Sequence, residues 1–263
     1  MQSQSAASPN ESFQSNPSIR ELQQAPAMSN SMVESAYHYD PTKIETNFSS
    51  VNIKLLRSVI DRMTLYQMGL IRSIGFDGVL ETLECDKIDR RFSVFLVSLV
   101  RAIDKALVDG HSSSALIDAS SFSKIVGVPR GDVSIQPCMS QDGVLSEDDK
   151  VLFASLSKRR CCSRVLEAMA GKEMDYSQNE TFLRAFVAFV ITGVVAPSED
   201  VPMEILRALK DVSSIKQYNW AQYGVDFIFH KAPITIQDLQ GMKTKVTVEG
   251  CLLYLQVTAS MLP

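Results

Sequence analysis

The sequence is short of the residues that most often mark chemistry. Its 263 residues include three histidines, five cysteines and one tryptophan. The histidines, at 38, 111 and 230, have no Cys or His partner at zinc spacing, and there is no Cys-x-x-Cys pair. That excludes the common zinc frameworks. The cysteines, at 85, 138, 161, 162 and 251, are odd in number and lack a disulfide framework. Reduced thiols in an intracellular protein are therefore expected. Cys161 and Cys162 are adjacent, a poor geometry for metal ligation, and no sequence signal marks a cysteine as an activated nucleophile. No cofactor and no metal are expected.

Positive charge is also lacking. The chain has 26 basic and 30 acidic residues, a net charge of −4, which argues against coating nucleic acid by bulk charge. No apolar run reaches the ~20 residues of a membrane helix. The longest of interest, Ala185 to Pro197, is shorter and contains Thr192 and Gly193, so no membrane partner is expected. The first thirty residues lack the basic start and apolar block of a secretory leader. Arg20 is the sole basic residue before Lys43, which disfavours organelle import relative to a nuclear or cytoplasmic location. Glycine loops are present but wrongly placed for phosphate. Gly75-Phe76-Asp77-Gly78 and Gly127-Val128-Pro129-Arg130-Gly131 both follow helical patterns, whereas a phosphate cradle opens a helix. Both read as turns.

What is there divides in two. Residues 1–50 are rich in Ser, Gln, Asn and Pro and carry five acidic and two basic residues. So few apolar side chains cannot offset the entropy of ordering, so this tail is expected to be disordered. Residues 51–263 are almost neutral and read as one helical body. Leu55 to Ile74 has a helical apolar period closed by Gly75, and Ile88 to Leu107 another, closed by Gly110. Asp118 caps a short helix that stops at Gly127. Ser146 and Asp149 open a helix whose far end carries Lys158, Arg159 and Arg160, where cations suit the dipole. Ser177 and Glu180 form a capping box ahead of Phe182 to Val195, which is apolar all round and so expected in the core. Pro202 stands as a first helical residue. Ile215 to Phe229 is apolar and stops before Pro233, and Val246 to Leu262 fits strand or helix. The predicted fold is mainly α: one multi-helix domain, admitting a short hairpin or strand pair near the C-terminus.

Several blocks resemble a known family. Ile74-Gly75-Phe76-Asp77-Gly78-Val79-Leu80 and Val126-Gly127-Val128-Pro129-Arg130-Gly131 are two of them. Phe182 to Gly193 with Ala196-Pro197, and Ala208 to Val212 leading into Ile215 to Ala221, are two more; Glu249 to Gln256 is the last. Together, over residues 52–257, they resemble the transposon-associated plant mobile domain, often labelled aminotransferase-like, and the related region preceding plant ubiquitin-like-specific protease domains. The resemblance brings no catalytic residue and no cofactor-anchoring lysine to this chain. The protease module of larger relatives is absent, so the chain looks like a truncated or domesticated copy.

The resemblance implies a non-enzymatic, mobile-element-derived factor that binds another plant protein, in nuclear or genome-related work or recruited to reproduction or stress. Tyr218, Asn219 and Trp220 are candidate contacts, with large apolar surfaces and polar tips. Lys158, Arg159, Arg160 and Arg164 are candidates for an acidic partner or for nucleic acid, the less favoured partner. A cryptic enzyme, such as a cysteine hydrolase, is the alternative and requires a thiol beside a base.

Overall fold

The computed structural model describes residues 40–82, 90–108, 114–135, 151, 153–241 and 243–261. A short strand β1 (Ile44–Thr46) leads into helices α1 (Ser50–Ile60), α2 (Leu65–Ser73), α3 (Asp77–Thr82) and α4 (Arg90–Ser98). An antiparallel meander follows, β2 (Val100–Arg101), β3 (Ala106–Val108) and β4 (Ser114–Leu116), in that spatial order. Then come α5 (Ala119–Val126), α6 (Arg159–Met169), α7 (Tyr176–Val190), α8 (Met203–Ala208), α9 (Trp220–Gln240), β5 (Val246–Val248) and α10 (Leu252–Ser260). The protein is mainly α, a single domain around one contiguous apolar core.

Helix α7 is the centre of that core. Every residue from Phe182 to Pro197 is buried, as an all-apolar helix requires. Burying each phenylalanine of this stretch contributes about 2–3 kcal/mol relative to leaving it in water. Beyond Val190 the helix widens into a π-helical turn, Ile191–Val195. There the Ala196 N–H reaches back to Ile191 O at 2.8 Å, and the Thr192 hydroxyl donates to Ala188 O at 2.7 Å. The one charge on the rod, Arg184, is buried and fully used. Its Nε donates to Leu209 O (2.9 Å), and one Nη donates to Lys210 O (3.0 Å) and Glu180 (2.7 Å). It thereby serves the carbonyl of the α8 cap residue Leu209 and that of Lys210 just beyond it.

The glycine-bearing turns meet one another. Gly127 closes α5 in a left-handed conformation (φ 80°), as its C-cap position demands. It also lies directly on Gly78: a Cβ on Gly127 would stand 2.2 Å from the Gly78 carbonyl carbon, and one on Gly131 2.1 Å from Gln217 O. Backbone bonds join the same strip to the start of α9. Val133 N–H donates to Gln217 O (2.8 Å), Asn219 N–H to Val133 O (2.8 Å) and Gly131 N–H to Tyr218 O (3.2 Å). Phe76 packs edge-on against Trp220 and Phe186 at 6.0 and 6.3 Å. Residues 75–78, 127–131 and 215–221, far apart in sequence, thus form one joint beside α7.

Several expected boundaries are corrected. The period from Leu55 to Ile74 is two helices, because Thr64 and Gln67 form a capping box that restarts the chain as α2. Ile88 to Leu107 is not one helix: α4 ends at Ser98, and Val100 and Leu107 pair across β2 and β3. Short apolar runs fit either state, and here the chain turns back before β3, with Lys105 at a φ of 49°. The capping box of α7 is Asp175 with Gln178, two residues before the expected Ser177 and Glu180. Pro202 takes the N-cap position of α8 rather than the first helical one. Helix α9 runs through Pro233 to Gln240. Its second half is held from outside, with Ile236 buried and the Thr235 hydroxyl donating to Thr247 O at 2.9 Å, which offsets the hydrogen bond a proline removes. The C-terminal stretch is both strand and helix, broken at Gly250. The partner of β5 is β1, parallel, with Ile44 opposite Val246. Ile44 and Phe48 are buried, so residues 41–50 belong to the body and not to the tail. Residues 1–39, Gly110, Ser146 and Asp149 lie outside the described residues.

A stability comparison checks the joint. Gly127→Ala meets both a backbone wall and a left-handed φ and is expected to destabilise the protein by about 2–4 kcal/mol. Gly193→Ala, where a Cβ meets only ordinary contacts at 3.6 Å and beyond, is expected to be neutral or to stabilise by up to about 1 kcal/mol. Urea denaturation of both variants measures the difference; equal effects would contradict the packing described.

Candidate interaction surface

The two groups of residues singled out from the sequence do different work from the one expected. Trp220 is wholly buried, so it is withdrawn as a partner contact. Its Nε1–H donates to Ile215 O at 2.8 Å, and its ring lies between Phe76 and Tyr218. Asn219 caps α9, its Oδ1 accepting the Gln222 N–H at 2.9 Å. Tyr218 is half-buried and helps line a shallow hollow of about 170 Å³ with Ser134, Ile135, Glu204, Arg207 and Ala208. At its side the Tyr223 hydroxyl donates to Glu204 at 3.2 Å. Burial, together with the Glu204 carboxylate, pushes that phenol's pKa up.

The basic run sits at the start of a helix, not at its end. Lys158 is the N-cap of α6 and Arg159 its first residue, so the dipole opposes these cations instead of favouring them. Tertiary contacts hold two of them. One Arg159 Nη donates to Thr192 O (3.1 Å) and Ser198 O (2.8 Å), closing the π-helical turn. Burial lowers the pKa of that guanidinium. Lys158 pairs with Asp200 at 3.4 Å. Arg160 and Arg164 remain exposed, four residues apart on one face of α6.

Among the described thiols, that of Cys162 lies in surroundings that oppose its ionisation. Cys162 is buried, its thiol donates to Leu156 O at 3.4 Å, and burial pushes its pKa up to about 12. Cys251 is buried and Cys161 half-buried. His230 is exposed on α9. His38, His111, Cys85 and Cys138 lie outside the described residues. Among the described residues no group of three or more His, Cys, Asp or Glu is placed to hold a metal ion.

The surface that stands out is elsewhere, where the first turns of α2 and α7 meet. Leu65 is 85% exposed, Tyr66 52% and Tyr176 89%. Asn179 Nδ2 donates to the Tyr66 hydroxyl at 2.6 Å, tying the two helix starts together. Beneath them Gln67 is completely buried and saturated. Its Nε2 donates to Met169 O (2.8 Å) and Lys172 O (3.3 Å), and its Oε1 accepts the N–H groups of Thr64 and Gly171, both at 3.1 Å. A buried amide with every bond made locks its neighbours in one arrangement. Asp175 caps α7 at the surface: its carboxylate accepts the Gln178 N–H at 3.1 Å and the Ser177 hydroxyl, and its own N–H donates to Gln178 Oε1 at 3.2 Å.

Sequence periodicity counted Tyr66 in the helical apolar period from Leu55 to Ile74 and passed over Tyr176. The available signal was the cap: Asp175 as N-cap puts Tyr176 at the first helical position, ahead of the buried stretch.

The class so defined is a single mainly α domain with no helix, among the described residues, long and apolar enough to cross a membrane. The chain belongs to a family described as a domain of unknown function, DUF8566, whose profile matches residues 49–256, from the cap of α1 into α10. No curated protein and no solved structure matches it.

The Asp175 cap predicts a pH effect. The Ser177 hydroxyl, then the Gln178 and Ser177 N–H groups, hold this carboxyl below its ordinary pKa. A depressed folded pKa gives stability that is present above the unfolded value and lost as pH falls through the folded one. Between about pH 4 and pH 2 the wild type should therefore lose more thermal stability than Asp175→Asn, which keeps an acceptor without the charge. Parallel melting profiles across that range would contradict the cap's charge-assisted role.

Proposed function

We propose that this protein is a non-enzymatic interaction factor that binds another protein through Leu65, Tyr66 and Tyr176. The observation that carries the reading is the exposure of these large side chains on two helix starts that the Asn179–Tyr66 hydrogen bond joins and the buried Gln67 anchors. Tyrosines on a fixed backbone suit a binding anchor, because little ordering remains to be done on contact. The resemblance to the plant mobile domain supports descent from a plant mobile element. It supports a nuclear or cytoplasmic role, in genome-related work or in reproduction or stress.

Two other readings have less behind them. A cysteine hydrolase needs an ionisable thiol beside a base, and the Cys162 thiol is buried and pushed up to about 12. A nucleic-acid surface needs the four cations of the basic run together, and Arg159 and Lys158 are engaged elsewhere.

Quantitative capture from plant extract on the tagged full chain tests the proposal. A reproducible partner of the wild type should fall about tenfold or more with Leu65→Ser/Tyr176→Ser, at a cost of ~1–2 kcal/mol for each anchor. It should be retained by Arg160→Ser/Arg164→Ser. Retention by the first double variant and loss from the second, in a captured fraction sensitive to nuclease, would overturn the reading in favour of nucleic acid.

A further inference from the structure

The hollow beside Tyr218 carries charge of both signs on one short helix. Glu204 and Arg207 stand three residues apart on α8, and both line it. Residues at that spacing share a helix face, with Cβ atoms about 5–6 Å apart. Yet the two do not pair with each other: among the described residues Glu204 takes part in no ion pair. Its one hydrogen bond is accepted from the Tyr223 hydroxyl, a neutral donor, at 3.2 Å. The carboxylate is half-buried, and the Tyr223 phenol beside it is so far withdrawn from water that its pKa is pushed up. A charge in such a place is normally matched by an opposite one. Glu204 therefore holds an open position for a cation. Three residues on, Arg207 brings a guanidinium to the exposed rim, with five N–H donors, more than any single partner occupies.

The rest of the lining is apolar or aromatic, and it is fixed. Ile135 and Ala208 are buried side chains. The Tyr218 ring packs edge-on against Trp220 at 5.9 Å. The strip that ends in Ile135 is bonded to the start of α9 through Val133 and Asn219, so the wall is in place before a ligand arrives. We infer that the hollow is a binding site for a small zwitterion, a free α-amino acid with an aliphatic side chain. Its ammonium group pairs with Glu204, its carboxylate takes donors from Arg207, and its side chain lies against Tyr218, Ile135 and Ala208. Volume limits the ligand to this size: about 170 Å³ is less than the roughly 300–1,000 Å³ of sites for drug-sized molecules. A simple alkylammonium ion meets Glu204 but stands against the like charge of Arg207, and a simple carboxylate meets the reverse. A ligand with both charges a few bonds apart suits both ends. The site shares no residue with the surface at Leu65, Tyr66 and Tyr176, so it stands or falls apart from the proposed partner contact.

Titration of the isotope-labelled full chain with leucine, leucinamide and N-acetylleucine, followed by amide chemical shifts, tests this. Leucine should move the resonances of Ile135, Glu204, Arg207 and Tyr218 in a saturable way. Leucinamide lacks the carboxylate and N-acetylleucine lacks the ammonium charge, and each should bind about tenfold more weakly. Glu204→Gln should remove the advantage of leucine over N-acetylleucine. Arg207→Gln should remove its advantage over leucinamide; that side chain is exposed, so this variant decides the matter if Glu204→Gln misfolds by circular dichroism. Leu65→Ser/Tyr176→Ser should bind leucine as the wild type does. The absence of any saturable shift would overturn the inference. So would leucinamide binding as tightly as leucine, which marks a site for a peptide N-terminus, or equal binding of all three ligands, which marks apolar contact alone.

Discussion

The fold depends on one constraint: Phe182 to Pro197 has no face that tolerates water. A helix of that kind must be surrounded, and most of the architecture can be understood as the means of surrounding it. Helix α6 packs along it. Arg184 ties its middle to the end of α8, and Arg159 closes its far end over the π-helical turn. The near end is fixed by Asp175 and, through Asn179 and Tyr66, by α2. The two arginines satisfy backbone carbonyls that burial would otherwise leave unpaired.

That arrangement changes what the motif-like blocks mean. Gly78, Gly127 and Gly131 are small because main chain lies against main chain at those points. Trp220 is a core residue with its one polar atom satisfied. The blocks on which the resemblance to the plant mobile domain rests are therefore largely the joint that holds the domain together. Their part is in the fold, and the proposed partner contact lies elsewhere, at the starts of α2 and α7. Rigid support beneath exposed tyrosines is the feature that joins the fold to the proposed activity.

Much of the fold was legible before any coordinates. The core helix showed itself in its all-round apolarity, and Asp118 and Gly127 bracket α5 as their capping chemistry requires. What was not legible depended on tertiary partners. The break at Thr64 lay within a continuous helical period, and Pro233 stops a helix unless something such as Thr247 holds the far side. β1 could not be assigned because its partner, β5, is about two hundred residues away. The basic run was read with the wrong helix polarity, because the boundary that decides the sign of the dipole falls within it. For the site, aromatic and charged composition pointed to Trp220 and Arg159, and the structure buries the first and employs the second on backbone carbonyls. Exposure is a property of the packed chain, so Tyr176, next to its capping residue, was open to inference only from the cap.

If α7 is the element on which the rest depends, its amides should open only when the whole domain does. Native-state hydrogen exchange measures this directly. The account predicts that the amides of Phe186 to Val190 are among the slowest in the protein, with an opening free energy equal to that of global unfolding. Exchange of those amides through smaller, local openings, while α9 remained protected, would contradict it.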